Sequence, residues 1–107
     1  MSALGCKYGE VDLSLLHDLV AARENRWQRE GFEHEFADGP MTDKPASWLR
    51  LDLRGALGQL TVWVSGEAEM DWGMPDKGGE RHYDLSSVGD LERCVDDLER
   101  RLWALAR

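Results

Sequence analysis

Between Ser47 and Trp72 the chain reads SWLRLDLRGALGQLTVWVSGEAEMDW, and this alternation restricts the fold more than any other stretch. Leu49, Leu51 and Leu53 alternate with Trp48, Arg50 and Asp52. Beyond Gly55-Ala56-Leu57-Gly58, Leu60, Val62 and Val64 alternate with Thr61, Trp63 and Ser65. A two-residue period belongs to a half-buried strand, so the stretch predicts a β-hairpin with one apolar face. A turn centred between Ala56 and Leu57 sets Leu53 opposite Leu60, Leu51 opposite Val62 and Leu49 opposite Val64. The same register sets Asp52 opposite Thr61, Arg50 opposite Trp63 and Trp48 opposite Ser65. A slip of one residue would turn the whole apolar set outward. Gly66 predicts a bulge or bend within a long strand. Past it, Ala68, Met70 and Trp72 keep the inward parity, while Glu67, Glu69 and Asp71 keep the outward one.

The flanks supply the rest of the fold. Met1 to Glu10 reads as an irregular lead-in, with Tyr8 against the core. Asp12 is a candidate N-cap for a helix from about Leu13 to Glu30, with Leu13, Leu16, Leu19, Val20 and Trp27 on one stripe. Arg23, Glu24, Arg26, Arg29 and Glu30 form its solvated side, and Gly31 ends it. His17 lies alone beside the stripe and reads as a surface or partly buried histidine. Phe32 to Phe36 alternates as a short edge strand, with Glu33 and Glu35 turned away from His34. That parity argues against a metal site there. Ala37 to Ala46 is a loop, and Gly73 to Gly79 turns the chain. Glu80 to Leu85 returns as a fourth strand, with Tyr83 and Leu85 inward and His82 and Asp84 outward. Ser86, Ser87 and Asp90 are candidate caps for a last helix reaching about Ala106. Its stripe is Leu91, Cys94, Val95, Leu98, Leu102 and Leu105, and Asp90 and Glu92 at its start and Arg100, Arg101 and Arg107 at its end suit the helix dipole. The predicted class is a two-layer α+β fold in the order α-β-β-β-β-α. A four-stranded antiparallel meander carries both helices on its apolar face.

A chain of 107 residues is expected to form one domain, residues 1–107, and to bury roughly two-thirds of the surface its unfolded form exposes. The formal charge of −8 disfavours nucleic acid, because the arginines are interleaved with Asp96, Asp97 and Glu99 and make no basic patch. An acidic surface suits a basic protein partner, and equally it keeps a small protein in solution. Cys6 and Cys94 lack ligand spacing for zinc. They are either one disulfide or free thiols, with Cys94 expected as a small core residue. With no leader-like start and no apolar run approaching ~20 residues, the expectation is a cytoplasmic protein without a membrane span.

Reaction chemistry is hard to find in these residues. There is no nucleophile elbow, phosphate loop or H-E-x-x-H motif. Glu67 and Glu69 on one strand face stand ~7 Å apart, a separation that suits glycoside chemistry, but acids on an exposed strand are usually only solvated. The reading is a non-enzymatic protein with no cofactor and no metal. The outward sheet face is the candidate site: Trp48, Arg50, Asp52, Trp63, Ser65, Glu67, Glu69 and Asp71, with Thr61 among them. Tryptophans and an arginine framed by acids resemble a binding hot spot. The plainer alternative is that Arg50 stacks on Trp63 within the molecule.

At Gly58 to Glu69, G-x-L-T-V-W-x-S-G-E-x-E, followed by the amphipathic helix from Leu91 to Leu105, the sequence resembles the TriTu family of bacterial immunity proteins. The resemblance implies a non-enzymatic antitoxin of a polymorphic toxin system. Its implied partner is a cognate toxin domain that ADP-ribosylates the translation factor EF-Tu, bound in the cytoplasm so that the NAD or target site is occluded. The matching positions are Trp63, Ser65, Glu67 and Glu69. A monomer or weak dimer is expected. The alternative from another class is a small adaptor or self-associating module using the same sheet face.

Overall fold

The computed structural model describes residues 11–40 and 44–106. The expected lead-in with Tyr8, the state of Cys6, the centre of the loop after the first strand, and Arg107 lie outside the described residues. The observed order is α1 (Ser14–Glu30), β1 (Phe32–Asp38), β2 (Ala46–Leu53), β3 (Ala56–Trp63), β4 (Glu67–Met74), β5 (Lys77–Asp84) and α2 (Val88–Ala106). The five strands form one antiparallel sheet in chain order. The class is α+β as expected, but the sheet has five strands rather than four.

Gly66 accounts for the fifth strand. Its φ is +94°, a left-handed conformation that glycine takes without penalty. The Gly66 N–H donates to the Trp63 carbonyl at 2.9 Å, so the chain reverses there instead of bending. Val62 then pairs with Ala68 and Leu60 with Met70. The Gly66 carbonyl accepts from Leu85 N–H, tying the turn to the end of β5.

The central hairpin also turns earlier than the sequence predicts. Arg54 (φ +53°) and Gly55 (φ +89°) form a two-residue turn. Two successive positive φ values match the right-handed twist of the flanking strands. Asp52 supports the turn by accepting the Gly55 N–H at 3.0 Å. The register is therefore Leu53 opposite Ala56, Leu51 opposite Gly58 and Leu49 opposite Leu60. Leu60 sits four residues from its expected partner on β2. Because the shift is even, every inward residue stays inward.

Leu49, Leu51, Leu53, Leu60, Val62, Ala68 and Met70 are all buried. They face α2, which lies across β2, β3 and β4, while α1 lies over β1 and touches α2. The crossing is close at Gly58, where a Cβ would run into the side chains of Leu98 and Leu102. Trp27 of α1 and Leu91, Cys94, Val95, Leu98 and Leu102 of α2 close the core. Gly31 ends α1 in a left-handed conformation, as expected. Asp12 accepts the Ser14 N–H and hydroxyl at the start of α1. Ser87 caps α2 by accepting the Asp90 N–H at 3.0 Å, and Asp90 reaches back to Ser86. Hydrogen bonds from the Ser86 N–H and hydroxyl, and then from Arg93, hold the Asp90 carboxyl down to about 2. No basic residue occupies the last described turn of α2; Arg100 and Arg101 turn to Asp97 instead.

The helix surfaces depart from the sequence reading at two acids. Asp97 and Glu99 are buried, each 6% exposed. Glu99 takes Arg23 (2.8 Å) and Arg26 (2.9 Å) from α1, so Arg23 belongs to a helix–helix junction rather than a solvated side. Burial pushes the Glu99 carboxyl up, but hydrogen bonds from Arg26 and Arg23 outweigh it and hold it below the usual range. The Trp27 indole helps in the same direction, although its buried Nε1 closes no well-formed hydrogen bond. Cys94 is a free, buried thiol pushed up to about 12, chiefly by burial. No helix of the described residues is long and apolar enough to cross a membrane.

Candidate functional site

With both helices on one side, the opposite sheet face is left uncovered among the described residues. Cross-strand pairing sorts it into rows. One row runs Ala37, Trp48, Thr61, Glu69, His82. The next runs Glu35, Arg50, Gln59, Asp71, Glu80. A third runs Glu33, Asp52, Leu57, Gly73, Gly78.

Seven of the eight predicted site residues stand on strands of this face: Trp48, Arg50 and Asp52 on β2, Trp63 on β3, and Glu67, Glu69 and Asp71 on β4. Ser65 sits in the β3–β4 turn instead and donates to Glu67 at 3.1 Å. Their partners differ from those predicted, since the hairpin turns earlier. Trp48 faces Thr61, Arg50 faces Gln59 and Asp52 faces Leu57. Arg50 therefore makes no stack with Trp63. It forms an ion pair with Glu35 at 3.6 Å, and Lys44 lies over the Trp63 ring at 5.8 Å. Lys44 also pairs with Glu67, and with Ser65 it holds that carboxyl below its ordinary range.

The sheet adds residues that sequence parity left unconnected. Glu33, Glu35, Glu80 and Asp84 join the face, as does Leu57, the most exposed large apolar side chain among the described residues at 42%. Glu33 faces Asp52, Asp71 faces Glu80, and Glu67 faces Asp84. Like charges directly opposite each other destabilise a sheet by a few tenths to about 1 kcal/mol per pair. The face retains three such pairs. No pattern in the sequence marks them, because the opposing residues lie on strands whose register had to be known first. His82 lies among these acids on β5. It bridges Glu69 and Asp84, and the hydrogen bonds it donates to Glu69 first and Asp84 second raise its pKa.

Other polar clusters are structural. The Asp38 carboxylate takes the hydroxyl of buried Ser47 and the His17 Nε2, at 3.0 Å for the latter. The carboxylate thus stands between serine and histidine, so His17 has no hydroxyl to deprotonate, the reverse of a hydrolytic triad. His17 also meets Phe36 edge-on at 4.5 Å. It is therefore a partnered surface histidine. Among the described residues no group of three or more His, Cys, Asp or Glu side chains is placed to hold a metal.

These features define a two-layer α+β protein whose polar and aromatic residues collect on one uncovered sheet face. The chain belongs to the TriTu immunity protein family: residues 14–100 match that family, which covers α1, the entire sheet and most of α2. No curated protein and no solved structure matches significantly. The Gly58 to Glu69 stretch now has a physical reading. Gly58 admits α2, Leu60 and Val62 fill the core, and Ser65-Gly66 reverses the chain. Trp63, Glu67 and Glu69 project from the open face.

Proposed function

We propose that this immunity protein neutralises a cognate toxin of the ADP-ribosyltransferase class, acting on EF-Tu, by docking the outer sheet face over the toxin's active or target-binding site. It does so in the cytoplasm as a non-enzymatic inhibitor. One observation carries the reading: within a chain of immunity-protein family, the only sheet face left open among the described residues is acidic, with Trp48 and Trp63 at one end. Trp48 and Trp63 are diagonal neighbours on adjacent strands, close enough to form one aromatic contact patch. The like-charge pairs fit a partner whose cations relieve the repulsion on docking. The contact residues are Trp48, Arg50, Asp52, Trp63, Ser65, Glu67, Glu69 and Asp71, joined by Leu57 and Glu80.

Co-expression with the neighbouring toxin domain tests the function. Rescue of growth and block of ADP-ribosylation of EF-Tu are expected, and survival equal to toxin alone would end the reading. Titration calorimetry tests the face. Trp63→Ala and Glu67→Arg should each weaken toxin binding by more than ~1 kcal/mol with the fold retained. Unchanged affinity in both variants would move the contact elsewhere.

A further inference from the structure

Three pairs of acids oppose one another across the outer sheet face, and they are compensated unequally. Glu33 with Asp52, and Asp71 with Glu80, have no ion pair among the described residues. Glu67 and Asp84 both do: Lys44 pairs with Glu67, and His82 with Asp84 at 3.0 Å. Trp63 stands at the same end of the face, across the Ser65-Gly66 turn from Glu67. The chain's own cations therefore occupy the part of the face where its aromatic and acidic residues meet.

Each of these cations covers a group that a docking partner has to reach. The Lys44 Nζ lies over the Trp63 ring at 5.8 Å and also holds Glu67, which takes the Ser65 hydroxyl at 3.1 Å. A cation above an indole and beside a carboxylate is the arrangement an incoming lysine or arginine would make. His82 has a carboxylate at each ring nitrogen, Glu69 at Nδ1 and Asp84 at Nε2. Both nitrogens must donate to satisfy both acids, so the imidazolium is the form that fits. Those bonds, to Glu69 first and Asp84 second, hold its pKa above the ordinary histidine value. The charged groups around His82 are Glu69 and Glu67 on β4, Asp84 and Glu80 on its own strand, and Lys44 beyond Glu67. Both helices lie on the other face.

Neither cation is held firmly. The Lys44 and His82 side chains are 48% and 45% exposed, and ion pairs open to water add little stability. A guanidinium or ammonium shut into a dry interface against the same carboxylates is bound more strongly. We infer that Lys44 and His82 stand in for the toxin's cations: on docking, the Lys44 ammonium leaves Trp63 and Glu67, His82 gives up a proton to solvent, and basic side chains of the toxin take both places. The inference rests on the proposed docking of this face. Two consequences follow that an ordinary contact would not show. Removing Lys44 tightens binding, although it lies amid the contact residues. Affinity also rises with pH through the histidine range, because the free protein holds a proton that the complex does not.

Titration calorimetry with the toxin domain tests both. Lys44→Ala should tighten binding by about two- to fivefold. Arg29→Ala removes the same charge from an exposed position on α1 and should leave affinity nearly unchanged, since salt screens a distant charge. Wild type should bind about fivefold or more tightly at pH 8.5 than at pH 6. His82→Gln should bind like wild type at pH 8.5 and more tightly than wild type at pH 6. Comparing the two proteins cancels the toxin's own titrating groups. Unchanged or weaker binding by Lys44→Ala, equal tightening by Arg29→Ala, or the full pH step surviving in His82→Gln would each overturn the inference. Absence of any binding would end the proposed function and this inference together, whereas binding without these signs would end the inference alone.

Discussion

Glu99 shows how far a single residue can depart from its local pattern. It lies in an Asp/Glu/Arg-rich run, yet it is buried because two arginines of α1 come to meet it. Glu99→Ala would strand Arg23 and Arg26 at the helix junction. With Arg26 partly exposed, the expected loss is ~2–3 kcal/mol, seen as a lower urea midpoint. The Asp97 and Glu99 carboxyls titrate below their unfolded values, so the unfolded chain takes up protons first as pH falls. The stability they contribute is present above the unfolded carboxylate range near pH 4 and is lost as pH falls through their folded values. Denaturation followed from pH 7 to pH 3 should show that decline, and it should flatten in Glu99→Gln. His82 has the opposite sign. Its raised pKa means that its contribution is present below the ordinary histidine value and is lost as pH rises through the folded one. A proton NMR titration should place His82 above an ordinary histidine, and Glu69→Gln should lower it.

At the scale of elements, glycines decide how strands and helices meet. Gly58 is where α2 crosses β3, and a methyl there would press on Leu98 and Leu102. Gly58→Ala should cost ~1–2 kcal/mol by overpacking, less if the leucines shift. Gly66→Ala forces an alanine into a left-handed turn, for an expected ~1–2 kcal/mol, and Gly66→Asn should be milder because asparagine tolerates that region. Thermal melts of the three variants check both statements. At the hairpin tip, Gly79 lies under the Trp72 indole, whose ring atoms would stand 2.7 Å from an added Cβ. Trp72 also carries Arg101 over its ring at 4.0 Å, so it braces this hairpin against α2 alongside Tyr83, whose hydroxyl donates to Asp97.

Across the whole molecule, charge is divided by layer. Arginines between and beside the helices are matched to Glu99 and Asp97, while the outer sheet face keeps its acids opposite one another. Association with a cationic partner should therefore be steered, with the on-rate falling steeply between low and physiological salt. Stopped-flow measurements against the toxin domain check this, and Glu80→Lys with Asp71→Lys should slow association. Much of this architecture could be read from local patterns. Two-residue alternation assigned Leu49, Leu60, Val62 and Met70 to the core, and three- and four-residue steps set both helices. The outward parity of Trp48, Trp63, Glu67 and Glu69 followed from the same rule, because side-chain direction is a property of neighbouring dihedral angles. Strand pairing is a different kind of information. Whether Gly66 bends or reverses the chain, whether Leu49 or Leu53 meets Leu60, and whether Glu33 lies against Asp52 all depend on contacts between residues far apart in sequence. So does the burial of Asp97 and Glu99, whose partners come from other elements. Local periodicity determined which face each residue takes; only tertiary pairing decided its neighbours, since a two-residue shift in register leaves faces unchanged and replaces every partner.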